Sequence, residues 1–382
     1  RNSMALVLNE DQVQLKDAAR TFIQNKSPVT AFRKLRDSND MDGFDRNLWK
    51  EMAGLGWAGI IIPEEFGGVG FGFVGLGVVL EETGRTLAAS PLMSTALIGA
   101  STLILGGAPA HKKEILPAIA TGDWLMALAH EEGPHHSPYA IATRAKKTDD
   151  GFVLSGKKTF VLDGHVADQL IVVARTSGKS GAREGLSLFL VDSKTPGVKI
   201  TRTLMADSRN AANIKFTGVK LGAGAVLGKI DQGADILDPV LDRARIGLAA
   251  EMLGGIREGF ERTVEYLKTR QQFGVLIGTF QALKHRAAEM FCEIELSVSV
   301  VLDALIAIDE NRKDVPQLAS LAKARLNDVY FLVSNEALQM HGGIGMTDEF
   351  DMGLFMKRAR VCQASFGDAS FHRDRYATLE GY

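Results

Sequence analysis

The hydrophobic period changes twice along this chain, and that change limits what it can fold into more than any single motif does. Through residues 9–120 apolar positions recur at steps of three and four, most plainly over 11–23 and 45–55, the mark of one-sided helices. Across residues 121–228 the period shortens towards two. Asp149, Asp150 and Gly151 there separate segments such as 156–162, 169–174 and 186–191. Strands joined by short turns without intervening helices predict an antiparallel sandwich or barrel rather than a doubly wound sheet. From Asp238 the helical period returns as a stripe of Ile246, Ala249, Leu253, Ile256, Phe260, Val264 and Leu267. Further helices are predicted over 281–308 and 316–340, the latter opening with Pro316 in its first turn and closing at Gly342 and Gly343.

This pattern predicts an α+β chain of three parts: a helical domain over 4–120, a β domain over 121–230 and a helical bundle over 231–382. Glycines at 67, 68, 70, 72, 75 and 77 are expected to interrupt the first helical region, and residues 60–62 followed by Pro63 to mark a bend. Arg1 to Ser3, ahead of Met4, are expected to stand outside the fold. With 382 residues the chain exceeds the size at which one core keeps growing, in keeping with several packed units.

Composition narrows the function. A net charge of -2, from 44 basic and 46 acidic residues, offers no broad electropositive face for nucleic acid. The two cysteines, Cys292 and Cys362, lie in helix-like stretches and provide neither a disulfide framework nor a metal cluster, so a reducing, cytoplasmic compartment is expected. The longest apolar run, 71–80, is half a bilayer span and contains three glycines, and no basic-then-apolar leader is seen, so membrane insertion is not expected.

Three segments invite a chemical reading. Arg270-Gln271-Gln272-Phe273-Gly274 places a guanidinium at a helix end beside a glycine break, ahead of Phe280 and Gln281. A planar guanidinium matches phosphate oxygens bidentately, although an exposed arginine complementing the helix dipole reads the same way. In Gln339-Met340-His341-Gly342-Gly343-Ile344-Gly345 a helix cap accounts for one glycine but not for all three. Pro63-Glu64-Glu65-Phe66-Gly67-Gly68, followed later by Glu81-Glu82-Thr83-Gly84-Arg85, reads physically as a tight connection between helices.

In this order and at these separations around a β domain, the three segments resemble the acyl-CoA dehydrogenase family over residues 8–376. The resemblance implies an N-terminal helical domain, a middle antiparallel β domain and a C-terminal four-helix bundle, assembled as a dimer or tetramer with FAD between subunits. It implies α,β-desaturation of an acyl-CoA thioester, a place in fatty acid metabolism, and an acceptor like electron-transfer flavoprotein. Carried over, Arg270, Gln272, Phe273, Phe280 and Gln281 correspond to positions near the pyrophosphate and adenine of a neighbouring subunit's FAD, with Gln339, Met340, Gly342 and Gly343 along the same pyrophosphate.

The flavin-ring half departs from the pattern. Where the family has threonine, an acid, proline and glycine, this chain reads His130-Glu131-Glu132-Gly133-Pro134-His135-His136, and where it has tryptophan followed two residues later by threonine or serine, Phe160-Val161-Leu162. His130, Phe160 and Leu162 are therefore the candidate ring contacts, and leucine has no hydrogen bond to donate. The histidines lack the His-Glu-x-x-His spacing, and Gly133-Pro134 opposes a helix, so no metal is expected there.

The resemblance also implies a glutamate base. At its usual position this chain has Phe366, and at the alternative one, before Arg245, it has Ala244. Asp368 and Arg245 remain as substitutes, although Asp368 also reads as a local cap. Loss of a positioned base costs about a hundredfold to ten-thousandfold in rate. The chain therefore resembles the base-less small subunit of the pimeloyl-CoA dehydrogenase type and base-less subunits of heteromeric steroid-side-chain enzymes, which implies a base-bearing partner or, failing that, a homo-oligomer of uncertain activity. The alternatives are a flavin-dependent monooxygenase of the same fold and a non-catalytic structural subunit.

Overall fold

The computed structural model describes residues 6–382, so the expectation for residues 1–3 lies outside the described residues. In chain order the helices are α1 (Glu10–Lys26), α2 (Val29–Asp37), α3 (Arg46–Gly54), α4 (Phe73–Arg85), α5 (Ala100–Gly106), α6 (Pro109–Ala120), α7 (Ala234–Thr269), α8 (Gln281–Asp309), α9 (Val315–His341), α10 (Met352–Ala364) and α11 (Ala369–Leu379). The main strands are β1 (Met126–Ala129), β2 (Arg144–Thr148), β3 (Gly151–Leu162), β4 (Gln169–Arg175), β5 (Leu186–Asp192), β6 (Val198–Leu204), β7 (Asn210–Gly222) and β8 (Val226–Leu227), with a small hairpin of β9 (Gln271–Gln272) and β10 (Val275–Leu276) after α7. The chain divides into two units, one formed by residues up to 37, 73–88 and 245–382, the other by 38–72 and 89–244.

In the helical unit, α1 begins where Asn9 accepts a hydrogen bond from the Gln12 backbone and the Gln12 side chain accepts one from Asn9, which satisfies two end donors at once. Lys16 and Arg20 on α1 pair with Glu81 and Glu82 on α4. Of the predicted stripe on α7, Ile246, Ala249, Leu253, Ile256 and Leu267 are buried.

The glycines expected to break the first helical region do so only in part, because α4 runs unbroken through Gly75 and Gly77. A Cβ on Gly77 would lie 2.3 Å from Leu305 Cδ1. Farther along, a Cβ on Gly84 would lie 2.0 Å from the Glu251 carbonyl oxygen and one on Gly254 1.7 Å from that of Glu81. Glycine costs a helix about 1 kcal/mol relative to alanine, and here it lets the backbones of α4 and α7 touch.

In the β unit the sheet order is β6-β7-β3-β2-β4-β5-β8, with β1 paired to β4. The antiparallel expectation holds for most pairs, but β1 runs parallel to β4 and β2 meets β4 in parallel at Arg144 and Arg175. The β2–β3 hairpin lies between β1 and β4 in the chain, so the connection is long enough to return the strand in the same direction. Phe152, Leu154, Leu170, Val172, Phe189, Ile214 and Phe216 form the core on one side of this sheet. The β3–β7 register shifts between Lys158 and Val161, a bulge that re-aims the residues around it.

Candidate active site

At the end of α7 the chain turns through the short hairpin whose two corner residues, Phe273 and Gly274, have φ of 56° and 76°. Two successive positive φ values suit the right-handed twist of a tight hairpin, and glycine adopts one freely. A phenylalanine there is strained. Phe273 is nevertheless 90% exposed, its only ring neighbour among the described residues being Phe280 at 6.0 Å, edge on. A strained aromatic left this exposed on a turn gains little from its own unit beyond that one contact, and strain of this kind clusters at functional positions. Arg270, Gln272 and Gln281 are exposed beside it.

The second predicted segment reaches the same end of the helical unit. His341, the last residue of α9, is buried and stacks on Tyr266 at 4.4 Å and on Phe350 at 4.7 Å. The Tyr266 carbonyl accepts the Arg270 backbone N–H, so Arg270 lies one helical turn beyond the residue whose ring meets His341 at the start of the glycine bend. Gly342 takes φ 63°, ψ -141°, a region open essentially to glycine alone. A Cβ on Gly342 or Gly343 would meet nothing within 4 Å, so nothing in this chain's packing accounts for Gly343. Gly345 is different, since a Cβ there would lie 2.7 Å from the Leu338 carbonyl oxygen. Gln339 is exposed, whereas the Met340 side chain is buried in the bundle.

The segment after α10 carries Phe366 with φ 57°, half-buried. Its backbone is gripped from three helices. The Phe366 carbonyl accepts from Arg245 Nε on α7 at 3.2 Å and takes a 3.0 Å hydrogen bond with His372 Nε2 on α11. Lys323 Nζ on α9 donates to the carbonyls of Cys362 at 2.7 Å and Gly367 at 3.0 Å and to Asn327 Oδ1 at 2.8 Å, while Asn327 Nδ2 donates to Gly367 O at 3.4 Å. Burial lowers the Lys323 ammonium to about 7. The Arg245 guanidinium also lies 5.6 Å from the Phe371 ring centroid. Asp368 is the N-cap of α11, accepting the Phe371 N–H at 2.8 Å, and Ala244 is fully buried.

In the β unit, Phe160 sits at the bulge of β3 with φ 51° and is 52% exposed. Leu162 is half-buried opposite Ala211. His130 is only 3% exposed, and its Nε2 bonds the Pro138 carbonyl at 2.9 Å, so its ring is turned inward. Lys158, entirely buried, donates to the His130 carbonyl at 2.9 Å and to Glu132 Oε1 at 2.7 Å. Burial lowers this lysine to about 8 against the opposing pull of Glu132. Burial would raise Glu132, but the charge and hydrogen bond of Lys158 hold it below the usual carboxylate value. Glu132 also accepts the Ala142 and Thr143 N–H groups. Sequence reasoning passed over both lysines. Their signal was position: Lys158 alternates with exposed Lys157 on a strand, and Lys323 shares a helix face with Ala319, Ala322 and Leu326.

An exposed arginine of phosphate-matching shape and a glycine bend with open backbone lie in the one helical unit, and comparison with known proteins gives the class. Residues 9–123, 126–219 and 231–378 match the N-terminal, middle and C-terminal domains of acyl-CoA dehydrogenase, so the chain belongs to the acyl-CoA dehydrogenase family. The family comprises FAD-binding oxidoreductases acting on CH–CH groups. The chain is 31% identical to cyclohex-1-ene-1-carbonyl-CoA dehydrogenase of Syntrophus aciditrophicus, over 94% of this chain and 87% of that protein. It is 27% identical to the caffeyl-CoA reductase–Etf complex subunit CarC of Acetobacterium woodii, over 93% and 94%. The ChsE4–ChsE5 complex of Mycobacterium tuberculosis contains a chain that superposes with a TM-score of 0.89 at 25% identity, over 99% of this chain and all of that one. Among the described residues no helix is long and apolar enough to cross a membrane.

Proposed function

We propose that this chain is the base-less subunit of a heteromeric, FAD-dependent acyl-CoA dehydrogenase of the pimeloyl-CoA dehydrogenase small-subunit type, performing α,β-desaturation of an acyl-CoA thioester only together with a base-bearing partner. One observation carries the reading. The position that the family resemblance gives to the base holds Phe366, with its backbone fixed by Arg245, Lys323, Asn327 and His372, while Asp368 is committed to capping α11. Neither of the two positions that the resemblance gives to the base, 366 and 244, holds a carboxylate.

The residues present fit FAD on one side. Arg270, Gln272, Gln281 and Gln339 are exposed donors, and Gly342 and Gly343 present open backbone, the set a diphosphate requires. Phe273 and Phe280 give the adenine side an apolar surface. On the ring side His130 faces inward and Leu162 has no donor, which leaves Phe160 as the exposed candidate. The proposal therefore gives the ring pocket and the base to the partner and the diphosphate grip to this chain. Bound FAD supplies the hydride acceptor; this chain's part is to hold, orient and exclude water. The complex of ChsE4 with ChsE5 and the Etf-linked CarC support a heteromer and an acceptor like electron-transfer flavoprotein.

Co-expression with a neighbouring dehydrogenase subunit tests this, by flavin per chain and by acyl-CoA oxidation with an artificial electron acceptor. One flavin per pair and activity only in the mixture are expected, with flavin lost on Arg270→Ala. Robust turnover by this chain alone, abolished by Asp368→Asn, would overturn the reading.

A further inference from the structure

We propose that His130, Glu131 and His136 form a binding site for a divalent metal ion, best matched by zinc. The chain folds these residues together through a loop, not through the helix that metal-binding histidine spacings usually imply. Gly133-Pro134 turns the chain so that residues 130, 131 and 136 converge, with one ligand atom from each lying within 4.8 Å of the others. His130 Nδ1 stands 3.5 Å from Glu131 Oε1, and His136 Nδ1 bonds that same oxygen. Two imidazole nitrogens and a carboxylate oxygen form the three-ligand set that zinc takes when its fourth position stays open.

The tautomer of His130 strengthens the case. Its Nε2 is held by the Pro138 carbonyl at 2.9 Å, an acceptor, so Nε2 carries a proton and Nδ1 is the nitrogen turned towards Glu131. A carbonyl that fixes the far nitrogen in this way is the usual support of a metal-bound histidine. Nδ1 of His130 and Nδ1 of His136 thus converge on the same Glu131 oxygen. His130 is 3% exposed and the His136 side chain 2%, so the converging atoms are screened from bulk water. A divalent cation among the three atoms would be shared by two imidazole nitrogens and a carboxylate oxygen. Lys158 does not fill that role, because its ammonium is directed at the His130 carbonyl and at Glu132.

The surrounding backbone holds the ligands in place. Thr159 N–H donates to the Glu131 carbonyl at 2.8 Å, Lys158 grips the His130 carbonyl, and Glu132 ties the loop to Ala142 and Thr143. An ion bound here would clasp the connection between β1 and β2. The inference stands apart from the heteromer reading, since it needs neither flavin nor partner.

The test uses tag-free full-length chain stripped with a chelator and titrated with Zn2+ in a calorimeter, and in parallel with Co2+ followed by its visible ligand-field bands. One saturable equivalent is expected, with bands of nitrogen and oxygen ligation and a higher melting temperature in zinc. His136→Ala and Glu131→Gln should each weaken binding about ten- to hundredfold, while His135→Ala, which removes an exposed neighbour, should leave it unchanged. Should the variants fail to fold, the cobalt spectrum of the unaltered chain still decides the matter. Absence of a saturable equivalent, or binding that survives the doubly substituted His136→Ala, Glu131→Gln chain, would overturn the proposal.

Discussion

Lys158 in the β unit and Lys323 in the helical unit are both entirely buried, yet the fold handles their charges in opposite ways. Lys158 has a carboxylate, Glu132, at 2.7 Å. Lys323 has only neutral oxygens, those of Cys362, Gly367 and Asn327. Each lysine fastens a loop that the family resemblance places at the reaction, the first through the His130 carbonyl and the second through the carbonyls flanking Phe366. The difference shows that a buried lysine can clip two backbone carbonyls and one amide oxygen together without a carboxylate at hydrogen-bond distance, provided its hydrogen bonds are complete.

The largest expected effect follows from breaking the paired case. Glu132→Ala leaves Lys158 as an uncompensated buried charge and should cost about 3–5 kcal/mol of stability, measured by urea denaturation; a loss below ~1 kcal/mol would mean that Lys158 is already neutral in the fold. In the unpaired case, Lys323→Met removes a charge with no partner but orphans carbonyls, for a net loss of about 1–3 kcal/mol. A loss as large as that of Glu132→Ala would erase the distinction between the two sites.

The pH dependence sharpens the contrast. Burial lowers Lys323 to about 7 and Lys158 to about 8, below the ordinary value of ~10.4. The unfolded chain therefore binds more protons than the folded one between those values, and stability rises with pH across that window, the cost of burying each charge being fully present below its folded value. The urea midpoint should rise from pH 7 to pH 9, and the rise should be smaller in Lys323→Met. A midpoint that is flat in both proteins contradicts the burial effect.

The smallest effect is expected at Phe366→Leu. The donors there hold the backbone rather than the ring, so a volume-tolerant apolar change at this half-buried site should cost less than about 1.5 kcal/mol. A larger loss would show that the phenylalanine ring itself anchors the segment.

How much of this was legible in the sequence depended on whether the signal was periodic. The α7 stripe follows from apolar spacing, since burying one face of a helix leaves that imprint, and the start of α9 from the proline of its first turn. The unbroken course of α4 through Gly75 and Gly77 did not, because glycine reads as an interruption unless the partner at Leu305 is known. Arg270 and the Gly342–Gly343 pair were visible as residue types. The strain at Phe273 was hidden, since nothing in Gln-Phe-Gly announces two positive φ values in succession. The convergence of His130, Glu131 and His136 was hidden for a related reason: spacing rules for ligands assume a helix, and a loop closed through Pro138 brings other separations together.

The grip on the Phe366 segment has an evolutionary consequence. Because the contacts of Arg245, His372, Lys323 and Asn327 with this segment fall on peptide oxygens, the frame is indifferent to which side chain position 366 presents. A single codon change at 366 alters the chemistry on offer while the scaffold stays in place. Subunits built this way can exchange an acid for an inert ring, and exchange it back, without first having to rebuild the loop.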